Sequence, residues 1–231
     1  MKPFPVRLLA ALCIFLTAAA SFAQSIPPPK NPVLHNAPAF ASWTIEFKYK
    51  TEDKKPGTPT PSFNVVSDPV QTITVTKTNK IYREQLVLKS GRTQEKWIYN
   101  GIEVMKMPGT GVIVPVADST PEHPNPDFAD YSKSDFKRLE WVSLGCYKGV
   151  KSYQDKPAYW FESDGSDGKQ FIAYLTVDTQ LPLLCSDYGQ TRFYTYNPSP
   201  TAQLVPPPDF LTVIDAQKKG LEALKFHASP P

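Results

Sequence analysis

The chain has 231 residues, of which 25 are proline and 11 are glycine, and its formal net charge at pH 7 is only +3. Two of the basic residues, Lys2 and Arg7, fall within the first 23 residues, so the remainder is close to neutral. This balance excludes the electrostatic attraction to nucleic acid or to an anionic membrane that a strongly basic chain would have.

Residues 1–23 have the pattern of a cleavable signal peptide. The two basic residues precede an apolar run over 8–15, and small residues follow at Ser21 and Ala23. We therefore expect export to the periplasm or outside the cell, with cleavage between Ala23 and Gln24. The apolar run is too short to span a bilayer, and no later stretch offers the roughly 20 apolar residues that a spanning helix needs. The sequence predicts no transmembrane anchor.

After cleavage, residues 24–41 are expected to form a proline-rich lead-in and residues 42–231 a single β domain with a C-terminal helix. The first strand is indicated by large apolar residues at every second position, Trp43, Ile45, Phe47 and Tyr49. Ser90-Gly91 and Asn100-Gly101 are typical of tight hairpin turns. Later strands are predicted at 72–78, 81–88, 92–99, 102–107, 112–116, 146–153, 158–162, 170–177, 183–186 and 191–196.

Helical spacing is found in two places. Phe136 and Leu139 predict a short helix within 132–141, which Ser134 and Asp135 would cap, and a final helix is expected over about 209–224. The predicted fold class is mainly β: a large curved antiparallel sheet or open half-barrel of about eleven strands, with two or three short helices.

Two cysteines remain after export, Cys146 and Cys185. An even number in an oxidising compartment predicts one structural disulfide between them. A metal pair or a reactive thiol is the alternative, but neither cysteine has a histidine close in sequence or a C-x-x-C partner.

Catalytic signals are absent from the sequence. The three histidines, His35, His123 and His227, lie in the lead-in, a proline-rich loop and the tail, and no nucleophile elbow, metalloprotease motif or phosphate-binding glycine loop is present. The run Asp164-Gly-Ser-Asp-Gly168 suggests a calcium loop, but a plain hairpin turn is favoured because the glutamate of such a loop is missing. We predict no enzyme activity, no cofactor and no metal site.

Aromatic residues are frequent on the predicted strands. They either fill an ordinary core or line one face of an incompletely closed sheet that holds an apolar ligand. The residues predicted to line such a site are Trp43, Ile45, Phe47, Tyr49, Trp97 and Tyr99.

Residues 72–116 and 173–210 resemble the carrier fold of the bacterial LolA and LolB lipoprotein-localisation proteins and their periplasmic relatives. The resemblance implies an eleven-strand half-barrel closed by short helices over an apolar cavity, and no single functional residue is carried over. The segments that carry it are Lys80-Ile81-Tyr82-Arg83, Lys96-Trp97-Ile98-Tyr99-Asn100-Gly101, Met107-Pro108, Leu175-Thr176-Val177-Asp178, Leu181-Pro182, Phe193-Tyr194-Thr195-Tyr196 and 206–210.

The sequence therefore predicts an exported, non-enzymatic periplasmic protein that resembles lipoprotein carriers and binds a lipid or other apolar ligand in an open barrel. Its partners would be lipid or lipoprotein acyl chains, with no nucleic acid and no identified protein partner. The alternative is a cell-envelope or secreted structural or interaction scaffold with a filled core.

Overall fold

The computed structural model describes residues 26–49, 68–116, 135–136, 139–165, 170–200 and 203–228, with backbone only for 224–228. The predicted signal peptide and its cleavage site lie outside these residues, and so does most of the predicted short helix.

In the described part of the chain, eleven strands form a single antiparallel sheet, which confirms the predicted mainly β class and strand number. The sheet order is β6-β5-β4-β3-β2-β1-β11-β10-β9-β8-β7, so two meanders meet where the first strand pairs with the last. The strands are β1 (Ala41–Tyr49), β2 (Val70–Lys77), β3 (Ile81–Leu88), β4 (Thr93–Tyr99), β5 (Ile102–Lys106), β6 (Ile113–Pro115), β7 (Tyr147–Tyr153), β8 (Lys156–Asp164), β9 (Gln170–Thr176), β10 (Pro182–Asp187) and β11 (Gln190–Asn197).

The predicted hairpin turn between β4 and β5 is present. Asn100 and Gly101 have φ angles of 52° and 75°, the left-handed pair that a two-residue hairpin loop requires. Asparagine and glycine adopt this conformation at low cost, which is why the dipeptide marks the turn in the sequence.

One α-helix is present in the described part of the chain, α1 (Pro208–Ala228), together with a 3-10 turn at Leu144–Cys146. The predicted helix over 132–141 is wrong for its described residues, which form turns with bonds from Leu139 N to Phe136 O and from Val142 N to Leu139 O. Asp135, expected to cap that helix, is instead bonded to Lys77.

The two faces of the sheet carry different cores. We call the face that includes Trp43 the pocket face and the opposite face, which includes Ser42, the helix face. Residues directly opposite on paired strands share a face, so the register assigns each side chain to one of them. The larger cluster lies on the pocket face and joins strand residues to Phe136, Leu139 and Val142.

The lead-in also packs on the pocket face. Val33 and Ala37 are buried in the larger cluster, and Tyr159 donates from its hydroxyl to Pro27 O at 2.9 Å. Gln180 Nε2 donates to three carbonyl oxygens of the lead-in, those of Lys30, Pro32 and Val33. These bonds replace water on otherwise unpaired backbone groups, so the segment is a structural part of the core.

On the helix face, α1 covers β5 and β6. Phe210 and Ile214 are buried against Trp97 and Val104, with the Trp97 and Phe210 rings 6.2 Å apart. Burying side chains of this size stabilises by about 1.5–3 kcal/mol each, which is what holds the helix in place.

The structure contradicts the predicted disulfide, because Cys146 and Cys185 are both free thiols. Cys185 on β10 is opposite Ala173 on β9, and Ala173 is opposite Phe161 on β8. Phe161 is opposite Tyr147 on β7, which directly follows Cys146. Three strand spacings of about 4.8 Å each separate these positions. A disulfide needs Cα atoms within about 7 Å. The even number of cysteines therefore does not lead to a disulfide here, because the two positions are too far apart.

No helix in the described ranges is long and apolar enough to cross a membrane.

Candidate ligand-binding pocket

A cavity of about 390 Å³ opens on the pocket face where β1 lies between β2 and β11. Its volume is at the lower end of the roughly 300–1,000 Å³ typical of small-molecule pockets. The lining residues are Ile45, Phe47, Tyr49, Val70, Ile73, Asp135, Phe136, Gln190, Arg192 and Tyr194.

The apolar wall of the cavity comes from two strands and one turn. Ile45 and Ile73 are opposite each other on β1 and β2, and both project from the pocket face. Phe136 belongs to the same cluster and lines the same cavity, with its ring 5.6 Å from that of Trp43 and 5.9 Å from that of Tyr194. Trp43 is 0% exposed and packs against Phe136, so Phe136 lines the cavity whereas Trp43 does not.

The opening of the cavity lies at the end of β1. Tyr49 is 46% exposed, and its ring stacks on that of Phe47 with centroids 6.3 Å apart. The Tyr49 hydroxyl donates to Val70 O at 2.9 Å, which fixes the ring across two strands. Because Tyr49 is exposed and Phe47 is half-buried, the apolar lining meets solvent at this end of β1.

The wall formed by β11 is polar and charged. Arg192 Nη2 donates to Asp187 Oδ2 and, at 3.3 Å, to Cys185 Sγ, and all three side chains are buried. Burial raises the pKa of the Cys185 thiol to about 12 and also raises the pKa of Tyr194. Both groups are therefore protonated at neutral pH.

A second buried ion pair, between Lys77 and Asp135, also borders the cavity. Asp135 Oδ2 accepts from Lys77 Nζ at 2.5 Å and from Ala37 N at 3.0 Å, and the two side chains are 1% and 6% exposed. Asp135 Oδ1 is buried and has no hydrogen-bond partner. Burial raises the pKa of Asp135, against the opposing effect of Lys77.

A second cavity, of about 610 Å³, lies away from the first and is lined by Glu140, Trp141, Phe171 and Tyr188. It lies beside β9, and the Phe171 ring is 4.8 Å from that of Tyr188. We assign it no ligand.

The six residues predicted to line the site are divided between the two faces. Ile45, Phe47 and Tyr49 line the cavity, whereas Trp43 is buried beneath it. Trp97 and Tyr99 lie on the helix face, near α1. The predicted single surface of all six is therefore not formed.

The register explains this division. Trp97 is opposite Arg83, and Arg83 is opposite Thr76. Thr76 is opposite Ser42, which faces away from Trp43. The sequence of β4 alternates aromatic and polar residues but does not reveal which face of the sheet its aromatic residues join.

Sequence reasoning missed Asp135, Gln190 and Arg192 as lining residues. A signal was present on β11, where Gln190 and Arg192 occupy the same alternating positions as Tyr194 and Tyr196. A charged residue at an inward position of a strand needs a buried partner. That partner, Asp187, is the last residue of β10, directly before the turn that leads into β11.

Within the described ranges, no three histidine, cysteine or acidic residues are grouped so that they could hold a metal ion. The cavity offers hydrogen-bonding and apolar groups, which suit an organic ligand with a small polar part.

Neither a protein-family model nor a curated protein matches the chain. Its fold is similar to the crystal structure of the Mycobacterium tuberculosis lipoprotein LppX, with 8% identity over 87% of this chain and 98% of LppX and a TM-score of 0.39. It is also similar to MucB in complex with MucA(peri), with 13% identity, a TM-score of 0.27, and 74% of this chain covered. The chain spans 55% of the length of MucB. Both TM-scores are below 0.5, so we base no functional conclusion on these similarities.

Proposed function

We propose that this protein is an exported, non-enzymatic periplasmic protein that binds a lipid or other apolar ligand on the pocket face of an open half-barrel. The observation that carries the proposal is the cavity of about 390 Å³ beside β1, with Ile45, Phe47, Ile73 and Phe136 as its apolar wall. A partly open apolar surface of this kind loses water when an acyl chain covers it, which favours binding.

The charged groups of the cavity favour binding over catalysis. Asp135 is paired with Lys77, and Arg192 with Asp187. A general acid or base must be able to exchange a proton with its substrate, whereas these groups are bonded to one another. Export is supported by the signal-peptide pattern of residues 1–23.

The proposal is tested with N-phenyl-naphthylamine, a neutral probe whose fluorescence rises in an apolar environment. We expect saturable binding to the unmutated protein, and about tenfold weaker binding to Phe47→Ala, because truncation removes part of the apolar wall. Phe193→Ala is the matched control, because Phe193 is also half-buried but lies opposite Glu46 on the helix face. Its affinity for the probe should be unchanged.

The alternative function is a structural or interaction scaffold of the cell envelope. It is favoured by the filling of much of the pocket face, where Trp43, Phe161 and Leu175 are 0% exposed. Absence of saturable probe binding to the unmutated protein would reject ligand binding and leave this alternative.

A further inference from the structure

The Asp135 carboxylate has one satisfied and one unsatisfied oxygen. Lys77 and Ala37 both donate to Oδ2, whereas Oδ1 is buried without a hydrogen-bond partner. The side chain is 1% exposed and lines the cavity. A buried acceptor without a donor is unfavourable, so a ligand that brings a hydrogen-bond donor to Oδ1 gains free energy there.

Among the described residues that line the cavity, the two charged side chains, Asp135 and Arg192, each have a partner of opposite charge. Lys77 is paired with Asp135, and Arg192 with Asp187, in two buried pairs. Each cation is therefore matched by one carboxylate, and the net charge of the four side chains is zero. A carboxylate head group placed at Oδ1 would meet a like charge in a buried site, which disfavours its ionised form.

We infer that the pocket selects a neutral, single-chain amphiphile whose head group donates a hydrogen bond to Asp135 Oδ1. A monoacylglycerol belongs to this class, because its head group carries hydroxyl donors and no charge. The acyl chain lies against Ile45, Phe47 and Ile73. The volume of about 390 Å³ suits one chain rather than several. This inference rests on the proposed function and adds the chemical class of the ligand.

The test compares lauroyl glycerol with laurate, which carry the same acyl chain on a neutral and an anionic head group. Competition against N-phenyl-naphthylamine at neutral pH should show lauroyl glycerol binding at least about tenfold more tightly to the unmutated protein. In Asp135→Asn the amide can donate toward the ligand, so the preference should fall or reverse in favour of laurate.

Two further variants separate the effect of Asp135 on the ligand from its effect on Lys77. Asp135→Asn leaves Lys77 without a counter-charge, so the double variant Lys77→Met with Asp135→Leu removes the pair and keeps apolar packing. Its preference for lauroyl glycerol should be smaller than that of the unmutated protein, because only the desolvation cost of the laurate carboxylate remains. Glu84→Gln is the matched control, because Glu84 also faces a lysine, Lys96 at 3.6 Å, on the same face outside the cavity. It should retain the preference.

The outcomes separate this inference from the proposed function. Laurate binding as tightly as lauroyl glycerol to the unmutated protein, while the probe still binds, would overturn the inference and leave the proposed function standing. An undiminished preference in the double variant would also overturn it, because selectivity would then not depend on Asp135. Binding of neither compound and no binding of the probe would reject both.

Discussion

Arg192 brings a full positive charge into the pocket face. Two side chains on β10 offset the cost of burying that charge. Asp187 accepts from Nη2, and Cys185 accepts a second bond from the same nitrogen. Breaking a buried ion pair by removing one partner typically costs about 3–5 kcal/mol, because the other charge stays uncompensated. Arg192 is therefore both a wall of the cavity and a link between β10 and β11.

Cys185 and Cys146 should react very differently with a thiol reagent in the native protein. Cys185 is 0% exposed, and burial raises its thiol pKa to about 12, so almost no thiolate forms. Cys146 is partly exposed at the end of the 3-10 turn, directly before β7. We expect maleimide labelling followed by peptide mapping to modify Cys146 quickly, and Cys185 only after unfolding.

The same experiment distinguishes free thiols from a disulfide. If neither cysteine is labelled after denaturation without a reductant, the two are joined and the sequence-based expectation is right after all. Labelling of both after denaturation agrees with the structure. Cys146→Ser serves as the control, since it should remove the fast-reacting group and leave Cys185 protected.

At the scale of single elements, β7 contains a bulge that depends on one glycine. The pairing of β7 with β8 shifts register between Tyr147 and Gly149, and Gly149 has a φ of +130°. No atom lies within 4 Å of a Cβ placed there, so a side chain would have space but a strained backbone.

Gly149→Ala should therefore destabilise the protein by roughly 1–3 kcal/mol, the usual cost of a residue held in a sparsely populated backbone conformation. Gly145→Ala is the matched control, because Gly145 has no positive φ and its added Cβ would meet only Ser143 Oγ at 3.8 Å. Urea denaturation should show little change for that variant. Equal stability of the two variants would mean that the bulge relaxes.

The elements themselves were largely predictable from the sequence. The hairpin at Asn100-Gly101 was found because its chemistry is local: two residues that tolerate positive φ, between two alternating strands. The helix expected over 132–141 was not found in its described residues because its apolar spacing has a non-local cause. Phe136 and Leu139 are apolar because they pack on the sheet, and Asp135 is bonded to Lys77, distant in sequence.

At the scale of the whole molecule, the sequence did not predict which face of the sheet each set of apolar side chains joins. Alternation identifies the apolar side of each strand, but only the register joins that side to its neighbours. Trp43 and Trp97 both look like core residues in the sequence, yet they belong to separate clusters on opposite faces. The cavity depends on three distant segments meeting at Asp135, which no local pattern encodes.

Because the two faces are packed separately, a substitution on the helix face should change stability without changing binding on the pocket face. Trp97 is 2% exposed and packs against Phe210 on the helix face. Trp97→Ala should lower the free energy of unfolding by about 3–5 kcal/mol, because it leaves a cavity beneath α1. The affinity of the folded protein for N-phenyl-naphthylamine should not change, because the cavity beside β1 lies on the other face.

The double variant Trp97→Ala with Phe47→Ala tests the independence of the faces. Substitutions that share no partners have additive effects within about 0.3–0.5 kcal/mol, and Trp97 and Phe47 pack in separate places. Urea denaturation should therefore show the sum of the single effects, and probe titration only the loss caused by Phe47→Ala. If Trp97→Ala alone weakens probe binding under conditions in which the protein stays folded, the two faces are coupled through the sheet. The pocket would then depend on α1 as well as on the strands that line it.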